Sequence, residues 1–280
     1  MFKKAFFILM ALSLIVPFVY AGERVVTVGG NQATRPLTDF TLATSGVGDA
    51  YYVYSADGDD GRAGKSASTA LATLDTAIGK CTANQGDIIY VLAGHAEALD
   101  GADGVDVDVA GVTIVGLGYG EDMPEFTYDA TADEFVIGAA NVTVIGVRFV
   151  AGVSDIVMGI SVEAAGDNFT LTDCVFPKPT TDSFEFLDAI DIADGANFIT
   201  VENCIYYNDE GGAAANHFIE AGNGTAGPEG LRVIGNYLKG NFAVSAIWSD
   251  EPCDEAFIAG NTIINHTSGQ HCIELTDSGT

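Results

Sequence analysis

One short pattern recurs along this sequence of 280 residues: VTIVG (112–116), VTVIG (142–146), FTLTD (169–173), FITVEN (198–203), LRVIGN (231–236) and FIAGN (257–261). Each copy is a short apolar run, mostly β-branched, that ends in Gly, Asn or Asp, which is typical of a strand leading into a turn. The copies end 25 to 33 residues apart. A repeat of this length predicts a solenoid in which each copy belongs to one coil.

A second series of short strands lies between these copies. Its members are ISV (160–162), IDI (190–192), IEA (219–221), IWS (247–249) and IEL (273–275), and their isoleucines are 26 to 30 residues apart. Two series with a common period of about 29 residues predict at least two strands in every coil. Strands of successive coils then pair in parallel, with the isoleucines stacked inside and the following residues on the outer face.

Polar residues recur at the ends of the first series. Asn203, Asn236 and Asn261, with Asp173 before them, align at the last position of their copies. Stacked Asn side chains can pair with backbone groups that a turn otherwise leaves without partners. We therefore predict a ladder of amides along one turn of successive coils.

The segment upstream of the repeats has a distinctive order. YYVY (51–54) leads into ADGDDG (56–61), then into a stretch with helical spacing, and then into GDIIYVLAGHAE (86–97). The apolar face of the predicted helix contains Ala70, Leu71, Leu74, Ala77, Ile78 and Cys81.

Together with the repeats, this order resembles the right-handed parallel β-helices of the pectate-lyase-like superfamily, which occur in secreted and bacteriophage-associated proteins. The resemblance implies an all-β, right-handed parallel β-helix with a short N-terminal capping helix. It does not imply one activity, because this fold hosts lyases, hydrolases, adhesins and tailspikes.

The composition of residues 1–21 predicts a cleaved export signal and secretion. Lys3 and Lys4 precede an apolar run over 5–18, and Ala21 ends the segment. We then expect an extension over 22–50, a leading strand and capping helix over 51–85, and the β-helix over 86–280. The sequence stops at Thr280 directly after a predicted strand. We therefore expect the solenoid to be incomplete there, because terminal coils usually carry a cap.

The charge of the chain limits its partners. It has 39 acidic and 11 basic residues, for a formal charge of −28. Such a charge repels phosphate and anionic lipid, so neither nucleic acid nor, after removal of the signal, a membrane is an expected partner. It is compatible with Ca²⁺ and with neutral glycans. No motif requires a cofactor, and no CxxC or HExxH spacing predicts a metal site.

The outer positions of the second series predict a row of side chains, one per coil: Ser161, Asp191, Glu220, Trp248 and Glu274. Neighbouring coils lie about 4.8 Å apart, so Asp191 and Glu220 should project side by side. Carboxyls about 5 Å apart suit a retaining glycosidase. These two are the candidate catalytic residues, and Trp248 and Glu274 are the candidate substrate contacts. The alternative to a catalytic or binding site is that these carboxylates form a solvated acidic surface. His217, close to Glu220 in the sequence, is predicted to be a turn residue.

A lyase of the pectate type needs an Arg or Lys base beside Ca²⁺. The predicted solenoid contains four candidate bases: Arg148, Lys178, Arg232 and Lys239. None of them falls in the row that contains Asp191 and Glu220. The sequence therefore favours a non-catalytic extracellular or virion-associated β-helix that binds a polysaccharide, a cell-surface glycan or neighbouring subunits. A second copy of the chain at the C-terminal coil is one such subunit. The alternatives are a polysaccharide hydrolase that uses Asp191 and Glu220, and a structural filament subunit.

Overall fold

The computed structural model describes residues 48–102, 104–208, 215–222, 224 and 226–275, together with the backbone of two short strands near the N-terminus. The chain divides into two units, Met1–Thr41 and Leu42–Thr280. In the first unit, β1 (Val25–Val28) pairs antiparallel with β2 (Asn31–Thr34). The predicted export signal, residues 1–21, lies outside the described residues.

The second unit contains three parallel sheets, and each coil adds one strand to each sheet. Sheet 1 contains β3 (Ala50–Val53), β4 (Ile88–Val91), β7 (Thr113–Gly116), β10 (Thr143–Ile145), β13 (Thr170–Thr172), β16 (Thr200–Glu202), β19 (Arg232–Ile234) and β22 (Phe257–Ala259). Sheet 2 contains β5 (Ala96–Ala98), β8 (Glu125–Tyr128), β11 (Arg148–Ala151), β14 (Val175–Phe176), β17 (Ile205–Asn208), β20 (Tyr237–Gly240) and β23 (Thr262–Asn265). Sheet 3 contains β6 (Val105–Asp106), β9 (Phe135–Ile137), β12 (Ile156–Val162), β15 (Phe186–Ile192), β18 (His217–Ala221), β21 (Ser245–Ser249) and β24 (His271–Leu275).

These sheets confirm the predicted parallel β-solenoid. The first repeat series forms sheet 1 and the second forms sheet 3. Ile190 pairs with Ile219, 29 residues further along the chain, which is the predicted period. Sheet 2 consists of two- to four-residue strands that follow the sheet 1 turns. The fold is thus a stack of three-stranded coils whose cross-coil partners are set by the repeat.

The predicted helix is present but shorter than its apolar face suggested. The helix α1 spans Leu74–Ile78, and the Thr73 side chain caps its N-terminus. Leu71 lies before the helix and is not part of it. It forms an isolated parallel β-bridge with Val53 of β3, at the edge of sheet 1. Two 3₁₀ turns occupy Ala67–Thr69 and Gly120–Asp122. In the described part of the chain, no helix has both the length and the apolarity to cross a bilayer.

The register moves Asn203 out of the predicted amide ladder. Asn203 lies opposite Gly235 rather than Asn236, because Glu202 pairs with Ile234. Asn203, Gly235 and Asp173 share a turn position with φ of 54°, 67° and 56°. Asn, Asp and Gly adopt this left-handed conformation more readily than other residues. The recurrence therefore reflects backbone conformation, and the assignment of Asp173 and Asn203 to the ladder was wrong.

The ladder itself joins Asn236 and Asn261 on the next position of the turn. Oδ1 of Asn236 accepts a hydrogen bond from the backbone N–H of Cys204 at 2.8 Å. Its Nδ2 donates to the carbonyl of Val201 at 2.9 Å and to Oδ1 of Asn261 at 3.0 Å. Asn236 is buried, so it supplies partners to turn groups that water does not reach.

A column of aromatic rings runs through the core of the solenoid beside sheet 2, among many buried aliphatic side chains. Successive ring centroids lie 5.1 to 6.3 Å apart, through Phe126, Phe149, Phe176, Tyr206 and Phe242. Phe218 of β18 meets Phe176 edge-on, with the ring planes at 90°. Such contacts stabilise by about 0.5–1.5 kcal/mol each beyond the burial of area. This packing holds sheet 3 against sheet 2 close to the predicted row that contains Asp191 and Glu220.

Candidate functional site

The strands of sheet 3 do not alternate strictly between buried and exposed residues. Each of three successive coils buries two adjacent residues: Ala189 and Ile190, Phe218 and Ile219, and Ala246 and Ile247. A regular strand would turn only one residue of each pair inward. Because both lie inside, the residues flanking each pair, three positions apart, share the outer side. Two of these coils therefore place two polar side chains on the same side, Asp188 with Asp191 and His217 with Glu220, whereas Ser245 of the third coil is fully buried.

The residues that flank the buried pairs form two adjacent rows across the coils. The first row, which is the predicted one, contains Ser161, Asp191, Glu220, Trp248 and Glu274 in direct register. The second row follows the same register and contains Met158, Asp188, His217, Ser245 and His271. The structure thus brings all four predicted site residues into one row; their roles in catalysis or binding stay predictions.

His217 joins the two rows. Its Nδ1 lies 2.6 Å from Oδ1 of Asp188 and 3.7 Å from Oε2 of Glu220. Its ring stacks on the indole of Trp248, with centroids 4.9 Å apart and planes 18° apart. His217 is the first residue of strand β18. The expectation that it is a turn residue was therefore wrong.

Asp188 was not among the residues predicted from the sequence, and no set of metal ligands was predicted there. The donor atoms of Asp188, His217 and Glu220 all lie within 4.8 Å of one another. A signal for this grouping exists in the sequence, because pairs of ionisable residues three positions apart recur in three of the coils. Such pairs are Asp188 with Asp191, His217 with Glu220, and His271 with Glu274. Strict strand alternation hides the signal, since it sends residues three apart to opposite faces.

Burial raises the pKa of two carboxyls in the first row, those of Asp191 and Glu220. Desolvation, and then the nearby charge of Asp188, raise the pKa of Asp191 to about 6, while His217 opposes the shift. Desolvation, and then the charges of Asp188 and Asp191, raise the pKa of Glu220 to about 8. Without a bound cation, Glu220 therefore keeps its proton at neutral pH while Asp191 is mostly ionised.

Exposure differs along the first row. Glu220 is buried, with 11% of its side chain exposed, whereas 40% of the Glu274 side chain is exposed. Asp191 and Trp248 are intermediate. One face of the Trp248 indole is covered by His217. A ligand lying along the row would therefore reach Asp191, the uncovered part of Trp248 and Glu274 more easily than Glu220.

The basic residues of the solenoid lie away from both rows. Arg148 of sheet 2 pairs with Glu125 at 3.2 Å. Arg232 of sheet 1 lies over the ring of Phe257. Lys239 of sheet 2 donates to the hydroxyl of Tyr207. Lys178 follows β14 and is also outside sheet 3. A lyase base next to Asp191 and Glu220 is therefore absent from the described residues.

A second histidine–carboxylate pair serves the first coils. Nε2 of His95 lies 2.9 Å from Oε2 of Glu97, and Nδ1 accepts from the backbone N–H of Ser55. Glu97 also accepts from the N–H of Leu74, the first residue of α1. Because both side chains are engaged by backbone groups, this pair ties the leading strand, the helix and β5 together.

A small cavity lies beside sheet 2. It has a volume of about 10 Å³ and is lined in part by Glu185, Tyr206 and Asn208. Each of these residues has one buried oxygen that lacks a hydrogen-bond partner among the described residues. The volume matches about one water molecule, which would satisfy these atoms. The cavity is too small to be a substrate site.

Comparison of the chain with protein-family models, with curated proteins and with solved structures finds no match.

Proposed function

We propose that the protein is an extracellular or virion-associated β-solenoid that binds polysaccharide along the first row without cleaving it. The direct register of Asp191, Glu220, Trp248 and Glu274 carries this proposal. Carboxylates accept hydrogen bonds from sugar hydroxyls, and an indole offers a flat apolar surface. Successive side chains of the row are about 4.8 Å apart. An extended chain of sugars can therefore contact several coils at once.

The burial of Glu220 supports binding rather than cleavage. A general acid must come within hydrogen-bond distance of the glycosidic oxygen that it protonates. The Glu220 side chain is 11% exposed and lies beside His217. Little of its carboxyl is open to a polysaccharide, whereas Glu274 and part of Trp248 remain accessible.

The wider setting belongs to the same proposal. Three parallel sheets and a short helix packed against β3, β4 and β6 support membership of the right-handed, pectate-lyase-like β-helices. The composition of residues 1–21 supports secretion. The formal charge of −28 supports a glycan rather than nucleic acid or a membrane as partner. Ile273 and Leu275 of β24 are exposed, which supports a neighbouring subunit there.

Affinity electrophoresis in gels containing neutral and acidic polysaccharides tests this binding. We expect at least one polysaccharide to retard the protein, and Trp248→Ala to weaken the retardation at least tenfold. Tyr237→Ala is the matched control, because Tyr237 is a half-exposed aromatic residue of sheet 2. Equal loss in both variants, or none with Trp248→Ala, would place binding elsewhere.

The second candidate function is polysaccharide hydrolysis. Asp191 and Glu220 pair directly in register, as two carboxyls of a retaining glycosidase would. Release of new reducing ends from the same polysaccharides distinguishes the two functions. Release that disappears in Asp191→Asn and in Glu220→Gln, without the ultraviolet absorbance of the unsaturated product of a lyase, would establish hydrolysis, and retardation without release would establish binding alone.

A further inference from the structure

We propose that Asp188, His217 and Glu220 bind one divalent transition-metal ion, of which Zn²⁺ is the test case. The three donor atoms lie within 4.8 Å of one another, on strands of two neighbouring coils. Their side chains are 12%, 7% and 11% exposed. The site shares Glu220 with the first row, and it does not depend on whether the row binds polysaccharide.

The distances suit a small ion after a minor adjustment. Zn²⁺ binds imidazole and carboxylate at about 2.1 Å, so tetrahedral ligand atoms are about 3.4 Å apart. Nδ1 of His217 lies 3.7 Å from Glu220, close to this value. Its 2.6 Å separation from Asp188 is a hydrogen bond. Replacing the shared proton by the ion requires these two atoms to separate by about 0.8 Å, which side-chain rotation provides.

The electrostatics of the cluster favour a cation. Asp188 and Glu220 lie beside the imidazole of His217, and Asp191 lies directly opposite Glu220 in the strand register. No lysine or arginine within the described residues pairs with any of the three. Carboxylates buried without a cationic partner are costly. A bound divalent ion compensates the charge of these carboxylates.

The surroundings of His217 hold its ring in one orientation. The side chain is more than nine-tenths buried, and its Nε2 has no hydrogen-bond partner among the described residues. The indole of Trp248 covers one face of the ring. Stacking and the strand backbone therefore fix the imidazole with Nδ1 directed at both carboxylates. A ligand held in this way loses little conformational freedom when it binds an ion.

The donor set selects the class of ion. Imidazole favours zinc and its transition-metal neighbours, whereas Ca²⁺ requires six to eight oxygen ligands. One nitrogen and two carboxylates provide three ligands and leave a fourth position for water or a ligand oxygen. The acidic composition alone suggests Ca²⁺ as the bound ion. The ligands of this site favour a transition-metal ion instead.

Isothermal titration of the EDTA-treated, dialysed protein with ZnCl₂ tests the proposal. We expect one equivalent of Zn²⁺ to bind, with an affinity at least tenfold above that for Ca²⁺. His217→Asn and Glu220→Gln should each lower the Zn²⁺ affinity at least tenfold. The matched control is His271→Asn, because His271 and Glu274 form the same pair on the exposed last coil, 3.4 Å apart. This control should bind Zn²⁺ as the unaltered protein does.

Three results would overturn the proposal: no stoichiometric uptake, undiminished uptake by folded His217→Asn, or tighter binding of Ca²⁺ than of Zn²⁺. If His217→Asn does not fold, the visible spectrum of the unaltered protein with Co²⁺ decides. Intense absorption of a four-coordinate Co²⁺ site is expected, and the weak spectrum of hydrated Co²⁺ would count against the site. A bound ion keeps Glu220 ionised, so metal binding and proton donation by Glu220 exclude each other.

Discussion

Replacing Asp191 by Asn should stabilise the metal-free protein at neutral pH, although it removes a candidate functional group. Burial raises the pKa of Asp191 from 3.8 to about 6. A shift of about two units corresponds to about 3 kcal/mol at 1.36 kcal/mol per unit. The side chain is partly exposed, and solvent screening reduces the effect to about 1–2 kcal/mol. For a domain of this size, that raises Tm by about 2–8 °C.

The sign of this effect depends on pH. Below pH 3.8 the carboxyl is protonated in both the folded and the unfolded chain, so the unaltered protein and the Asp191→Asn variant should be equally stable. Between about pH 4 and 6 the unfolded chain ionises first, and the folded protein loses stability as pH rises. Above about pH 6 the full destabilisation is present. The variant therefore gains its advantage over this interval and keeps it at higher pH.

Thermal melts between about pH 3.5 and 8, in EDTA, measure this difference. Asp108→Asn is the control, because Asp108 is exposed and its substitution should change stability by less than about 0.5 kcal/mol. A difference in Tm that does not vary with pH, or a lower Tm for Asp191→Asn at the alkaline end, would refute desolvation as the source of the shift.

Two further predictions concern the turns of sheet 1. Asn236→Ala should destabilise by about 2–4 kcal/mol, because it leaves the buried N–H of Cys204 and the carbonyl of Val201 without partners; urea unfolding measures this. Asn261→Ala, at a more exposed position, should lower the free energy of unfolding by less. An equal loss in both variants would contradict the role assigned to the buried hydrogen bonds of Asn236. Glu255→Asn should stabilise by about 0.5–1 kcal/mol, because Glu255 holds φ at 57°, which Asn tolerates better. Thermal melts check this against Glu229→Asn, an exposed acid outside the left-handed region, and no gain over that control would count against backbone strain.

The repeat spacing was sufficient to predict the solenoid and the first row. Each coil is a local unit of sequence, so the period of about 29 residues also states which residues of successive coils become neighbours. That is why Asp191, Glu220, Trp248 and Glu274 could be aligned with one another from the spacing of the isoleucines. The displaced amide ladder shows the limit of this reasoning. An alignment on the last residue of each copy cannot distinguish the left-handed turn position of Asn203 from the inward position of Asn236.

Only the tertiary structure brought Asp188 and His217 to the first row. Their place depends on two adjacent residues, Phe218 and Ile219, both lying inside the coil. Phe218 is held there by Phe176, which lies in sheet 2 of the preceding coil. Side-chain periodicity within one strand contains no information about such a contact, and it places residues three apart on opposite faces. The period of the repeat is a property of the sequence, whereas this break in alternation is a consequence of packing between sheets.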